Sequence, residues 1–181
     1  MVIVVKKQSR VYEKVANAVR MMYPNAVVLD VTRGGLMRKL DPSFPLRRVK
    51  VPGCDETSLS VLGVWEGLKV FSRKNHKEVD CTYFSDERKL GKVRGCKSYG
   101  KLVGIKVGEE IIPVERAAET VFTQTYREAI ESNFPAVLES LSKETRPVVL
   151  LDYKDKDRLA PVSHAELLKE MIESRVCAAA A

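Results

Sequence analysis

Three short runs of aliphatic residues, VIVVK at 2–6, AVVLDV at 26–31 and PVVLL at 147–151, constrain this chain most. Each is too short for a stable helix, rich in β-branched side chains and bounded by turn-forming or charged residues, so each predicts a strand of the core. Between the first two, residues 9–22 place Val11, Val15, Ala18, Val19 and Met22 at helical spacing, and Tyr23-Pro24-Asn25 ends that helix. The opening 35 residues therefore read as a strand–helix–strand unit. Asp30 and Thr32 fall at the carboxyl end of its second strand, where α/β sheets place ligand groups. Asp152, directly after the third run, stands at the same kind of boundary.

The middle of the chain is less regular. Pro42, Pro45, Pro52 and Gly53 punctuate an extended piece, LRRVKVPG, before a helix with Ser58 or Ser60 as its cap. Val61, Val64, Leu68 and Phe71 form one face of that helix. Leu62, Trp65, Glu66 and Lys69 form an adjoining face, where chemistry is first expected. On that face Lys69 suits a phosphate or a surface pair with Glu66, and Trp65 suits either base stacking or the core. Gly91, Gly95, Gly100, Gly104 and Gly108 recur without a GxGxxG or Walker pattern, which predicts a turn-rich basic loop or hairpin.

The last third predicts a helix over 115–132 with Ala118, Val121, Phe122, Thr125, Ala129 and Ile130 inward, and a second over 134–142. After the third strand and a polar loop, Ser163 and Glu166 have capping-box spacing. The final helix turns Leu167, Leu168, Met171 and Ile172 inward. His164 lies in its first turn, a candidate proton carrier beside the candidate carboxylate Asp152. The fold class is α+β, a predominantly helical single domain over 1–177 with a small sheet; Ala178 to Ala181 read as a cloning-site scar outside it.

With 45% hydrophobic residues the chain can bury one core, and no apolar run approaches the roughly 20 residues of a membrane span. The apolar part of MVIVVKK is too short for a signal peptide, so a cytoplasmic protein without membrane contact is expected. Cys54, Cys81, Cys96 and Cys177 make no CxxC pair and His76 and His164 stand far apart; reduced thiols, no metal and no cofactor are expected. The net charge is +7, with basic residues concentrated between Arg33 and Lys106, Arg47, Arg48 and Lys50 among them. Such a field steers phosphorylated small molecules or nucleic acid toward that side.

Ser43-Phe44-Pro45, the extended RRVKVPG and the helix SVLGVWEGLKVF together resemble the start of the NADAR-like family, whose pattern runs "SNF", a strand, then "SxExxxQxxKF". VERAAETVFTQTYREAIESNFPAVLESL followed by PVVLLD is similar to that family's long helices and "LVE" strand end. The segment from Asp152 through PVSHAELLKEMIE stands where the family has "D…WG…NxLGxxLMxxR". The likeness spans residues 41–175. It implies an N-glycosidase that cleaves a ribosyl C1–N bond in phosphorylated riboflavin precursors or ADP-ribosylated nucleobases. Such cleavage passes through an oxocarbenium-like transition state, which needs a carboxylate and a proton carrier.

Aligned on Lys69, the family's acidic position falls on Leu62, and the tryptophan–glycine pair and the asparagine near the end are missing. Glu66 or Asp152 must then carry the carboxylate duty, with His164 as a further catalytic candidate, or the protein binds without cleaving. Asp30, Thr32, Arg47, Trp65 and Lys69 are the candidate ligand-binding residues, and Glu66, Lys69 and Asp152 are expected to border one cleft. The alternative reading is a basic nucleic-acid-binding module without catalysis, contacting backbone and bases through Tyr83, Phe84 or Tyr99. A third is an accessory interaction domain using the acid-rich helices of the last third.

Overall fold

β-branched runs become strands only where both faces can be covered, and here helices cover them. A computed structural model describes residues 1–7, 11–46, 48–73, 78–153 and 160–180. In chain order the elements are β1 (Val2–Lys6), α1 (Tyr12–Met22), β2 (Val27–Asp30), β3 (Val49–Lys50), β4 (Thr57–Ser58), α2 (Val61–Gly67) and β5 (Lys69–Phe71). There follow α3 (Thr82–Ser85), α4 (Cys96–Tyr99), β6 (Leu102–Val107), β7 (Glu110–Ile112), α5 (Val114–Ala117), α6 (Thr123–Asn133), α7 (Pro135–Ser142), β8 (Val148–Asp152) and α8 (His164–Ala180). The fold is α+β, as the sequence predicts. None of the described helices is long and apolar enough to cross a membrane.

The chain divides into two compact units, one of residues 1–41, 130–158 and 163–181 and the other of residues 42–129 and 159–162. The first unit is built on a parallel sheet in the order β1-β8-β2, with Lys6 opposite Asp152 and Asp30 opposite Leu151. Val149 and Leu151 of β8 pack with Val15 and Val19 of α1, and Ile3, Val5, Tyr12, Tyr23, Ala26 and Val28 close that core. Strand side chains alternate, so Val148 and Leu150 point to the other face, where α8 packs on β1 and β8. The inner residues of α8, Leu167, Leu168, Met171 and Ile172, are buried as their spacing predicts.

One expectation for this unit needs correction. Val11, Ala18 and Met22 are exposed. The buried stripe of α1 is instead Val15, Ala16 and Val19, continued by Tyr12 and Tyr23, because the helix starts at Tyr12 and presents the i, i+3, i+4 row counted from there. Ala178 to Ala180 also lie inside α8, since alanine is the best helix former and simply prolongs it.

The second unit contains the antiparallel sheet β5-β6-β7 and the ribbon β3-β4. The β6–β7 connection turns at Gly108 with φ of +59°, so the glycine-rich basic segment ends in a hairpin. A single helical rod runs from α5 into α6 through a π-helical stretch, Ala118–Phe122, and buries the six residues expected to face inward. Ser60 caps α2 by accepting the Gly63 N–H at 2.9 Å.

That helix is shorter than its periodicity predicts: it stops at Gly67, and Lys69 opens β5. A Cβ at Gly67 would lie 2.2 Å from the Phe84 ring, so only glycine lets α3 close over the helix end. Gly67→Ala is expected to destabilise the protein by about 1–3 kcal/mol through overpacking, read as a shifted midpoint in urea with an unchanged m-value.

Candidate functional site

The end of α2 creates the first cluster. A helix leaves its last carbonyls without intrahelical donors, and here a buried arginine from a distant loop supplies them. Arg94 Nη1 donates to the carbonyls of Glu66 at 3.1 Å, Gly67 at 3.3 Å and Lys69 at 2.8 Å. Its guanidinium carbon lies 5.1 Å from the Phe71 and Tyr99 rings and 5.8 Å from Tyr83. Arg94 is only 3% exposed, and among the described residues its Nε has no hydrogen-bond partner.

The same turn brings Glu66 and Lys69 together. Lys69 Nζ lies 2.5 Å from Glu66 Oε1, and the Arg94 backbone N–H donates to Glu66 Oε2 at 2.8 Å. Glu66 is completely buried and only 9% of the Lys69 side chain is exposed, so this is an interior ion pair and not a surface one. Burial raises the Glu66 pKa above its ordinary value, more than the charges of Lys69 and Arg94 and their hydrogen bonds lower it. Tyr83 is pushed up to about 12 by burial and by its neighbours Tyr99 and Glu66. Burial would also raise Asp80, but the Thr82 hydroxyl, Lys89 and Arg94 outweigh it and hold that carboxyl below its ordinary range.

Trp65 is a core residue packed edge-on against Phe122, with centroids 5.9 Å apart. Leu62, at the position where the resemblance expects an acid, is also in the core, 2% exposed.

The first unit carries a second cluster at the carboxyl ends of its parallel strands. Asp30 Oδ1 accepts from the Thr32 N–H at 3.1 Å and the Thr32 hydroxyl at 2.6 Å, and Lys7 Nζ donates to Asp30 Oδ2 at 2.7 Å. Asp152 Oδ1 accepts from the Tyr153 N–H at 2.7 Å and Oδ2 from the Ser163 hydroxyl at 2.6 Å. Ser163 in turn caps α8 by accepting the Glu166 N–H at 3.1 Å. His164 Nε2 faces the Val31 carbonyl at 3.0 Å; a carbonyl only accepts, so Nε2 bears the proton. His164 Nδ1 lies 3.6 Å from Asp152 Oδ1, a pair that is ionic when the ring is protonated.

Tyr153 completes the edge, its hydroxyl accepting from the Arg33 N–H at 2.6 Å and donating to Asp41 at 2.8 Å. Burial and the Asp41 carboxylate push its pKa well up.

The sequence candidates thus fall into two groups: Trp65, Glu66 and Lys69 in one unit, Asp30, Thr32, Asp152 and His164 in the other. Arg47 lies outside the described residues. Arg94, Tyr153 and Lys7 were not singled out, and only Lys7 had a local signal, directly following a strand whose end the parallel sheet aligns with Asp152. Among the described residues no three acidic, cysteine or histidine side chains come together to hold a metal ion.

The chain belongs to a family of unknown function, DUF6939, whose model matches residues 11–168. No curated protein matches it.

Proposed function

We propose that the protein is N-glycosidase-like and binds a phosphorylated ribosyl or ADP-ribosyl ligand at the Glu66–Lys69–Arg94 cluster. The observation that supports this is a surplus of positive charge in a largely buried place. Lys69 and Arg94 stand against the buried Glu66, with the partly exposed pair Lys89 and Asp80 at the rim, and Arg94 Nε has a donor to spare among the described residues. Excess charge away from water favours an anion. Half-buried Tyr99 and the exposed part of Lys69 are where the cluster meets solvent, and a ring there suits a nucleobase.

Glu66, its pKa raised by burial, is the group suited to deliver a proton to a leaving nitrogen. With Leu62 in the core, cleavage rests on Glu66 alone in this unit.

Titration calorimetry with ADP-ribose, ribose 5-phosphate and ribose tests the reading. The two phosphorylated ligands are expected to bind and ribose not, and Lys69→Gln to weaken binding about tenfold or more. In a hydrolysis assay on ADP-ribosylated nucleobases, Glu66→Gln is expected to remove turnover and keep binding. Equal affinity for ribose and ribose 5-phosphate, or an indifferent Lys69→Gln variant, would sink the proposal.

The nucleic-acid reading draws on the exposed side chains of Arg48, Lys50, Arg73, Arg88, Lys92, Lys97 and Lys101. Tyr83 and Phe84, assigned to base contact in that reading, are buried and offer no stacking platform. Oligonucleotide binding that falls steeply with salt while ADP-ribose fails to bind would favour it.

A further inference from the structure

Asp80, just before α3, and Lys89, just after it, are tied to the buried cluster at the end of α2. The Asp80 N–H donates to the Gly67 carbonyl at 2.9 Å, the same carbonyl that takes Arg94 Nη1 at 3.3 Å. Lys89 Nζ lies 4.4 Å from the centre of the Tyr83 ring, which has the Arg94 guanidinium carbon 5.8 Å away. Both rim side chains keep contact with solvent, each 27% exposed. We propose that Asp80 receives the sugar hydroxyls of the ligand, so that the site selects a ribosyl phosphate with free adjacent hydroxyls over its deoxy counterpart. This rests on the reading of the cluster as a site for a phosphorylated ribosyl ligand and names the part of that ligand which is recognised.

Arg94 is the sign that the cluster is completed by something else. Its side chain is 3% exposed, and Nε has no hydrogen-bond partner among the described residues. A buried donor left open calls for an acceptor, and with the Lys69 ammonium beside Glu66 it suits phosphate oxygens.

Asp80 offers the opposite chemistry. Its Oδ1 is filled, accepting from the Thr82 N–H at 3.2 Å and the Thr82 hydroxyl at 2.5 Å. Its Oδ2 faces the Lys89 ammonium at 3.6 Å, beyond hydrogen-bond length, while Lys89 Nζ donates instead to the Thr82 hydroxyl. That leaves Oδ2 with lone pairs to spare among the described residues. Burial works the other way, but Thr82, Lys89 and Arg94 hold the carboxyl below its ordinary range, so at neutral pH it accepts and does not donate. An acceptor of this kind repels phosphate and suits hydroxyl donors. A ribosyl phosphate carries both kinds of group on one small molecule. Dinucleotide sites divide the task in the same way, with donors on the phosphates and one carboxylate on the ribose hydroxyls.

Titration calorimetry of the whole protein with ribose 5-phosphate and 2-deoxyribose 5-phosphate tests the proposal, each repeated with Asp80→Asn. Asparagine keeps an acceptor for the Thr82 N–H, and an unchanged urea midpoint checks that the turn into α3 holds. The unchanged protein is expected to bind ribose 5-phosphate about tenfold more tightly than the deoxy sugar. Asp80→Asn should bring the two within about threefold, the loss falling on the ribose form, which a general loss of folding would not do. Equal binding of the two sugars by the unchanged protein would overturn the inference and leave the phosphate reading standing. Discrimination that survives Asp80→Asn would place the hydroxyl contact elsewhere and overturn it as well. If neither sugar phosphate binds, both readings fall together.

Discussion

Arg94→Ala is expected to lower the stability of the protein by about 3–5 kcal/mol, among the largest effects of any single change in it. The carbonyls of Glu66, Gly67 and Lys69 lose the donor that Arg94 Nη1 supplies, in a region with little water to replace it. The space beneath Phe71, Tyr83 and Tyr99 empties at the same time. Arg94→Lys is expected to recover less than half of the loss, because an ammonium lacks the planar guanidinium that lies against the Phe71, Tyr83 and Tyr99 rings while Nη1 reaches the carbonyls. Urea denaturation of the three proteins at one pH checks both statements. A loss below about 1 kcal/mol for the alanine variant would mean that the loop carrying Arg94 contributes little to the folded state.

Lys69→Met is expected to cost about 3–5 kcal/mol at neutral pH, because it leaves the Glu66 carboxylate buried without its closest countercharge. The pH dependence has a definite sign. Glu66 holds its proton more tightly in the folded chain than in the unfolded one, where its pKa is near 4.5. The stability linked to it is therefore complete below that value and is lost as pH rises through the folded one. Removing Lys69 takes away an attraction that lowers the folded value, so the variant's deficit should shrink on acidification toward pH 4.5 and widen toward neutrality. Glu66→Gln together with Lys69→Met should recover most of the stability. Denaturation curves across that range give the slope directly, and a deficit independent of pH would show that Glu66 does not titrate there.

The first and last strands of the chain were legible because helices on both faces of a parallel sheet leave a plain mark: VIVVK and VVLLD carry no alternation and no glycine or proline inside. α8 was legible for a related reason, since its cap at Ser163 and its apolar row both lie within a few residues. The end of α2 was not. Gly67 interrupts an apolar series that continues to Phe71 in perfect helical spacing, and its true constraint is the ring of Phe84, which approaches through tertiary structure.

Arg94 was hidden by its company. It sits in a basic run, Lys89, Lys92, Arg94 and Lys97, and nothing local separates the one fully buried side chain from half-buried Lys89 and exposed Lys92 and Lys97. Asp30 and Asp152 were found as strand-end acids, but Lys7, which holds Asp30, follows from the parallel register, and Ser163, which holds Asp152, from the return of the chain into α8.

The place of β8 between β1 and β2 has a consequence for how the chain comes to be folded. β1, α1 and β2 leave the ribosome early, but the two strands do not pair with each other; each pairs with a strand made near the end of synthesis. Until Val148–Asp152 emerges, both keep a bare edge and apolar side chains without a sheet partner, while residues 42–129, most of the second unit, are already made. Sheet closure is thus a long-range event late in the chain's life, of the kind that is slow and exposed to aggregation. A ribosome-stalled chain ending before β8 should hold its first strands open to chaperones and proteases, and release of the finished chain should hide them.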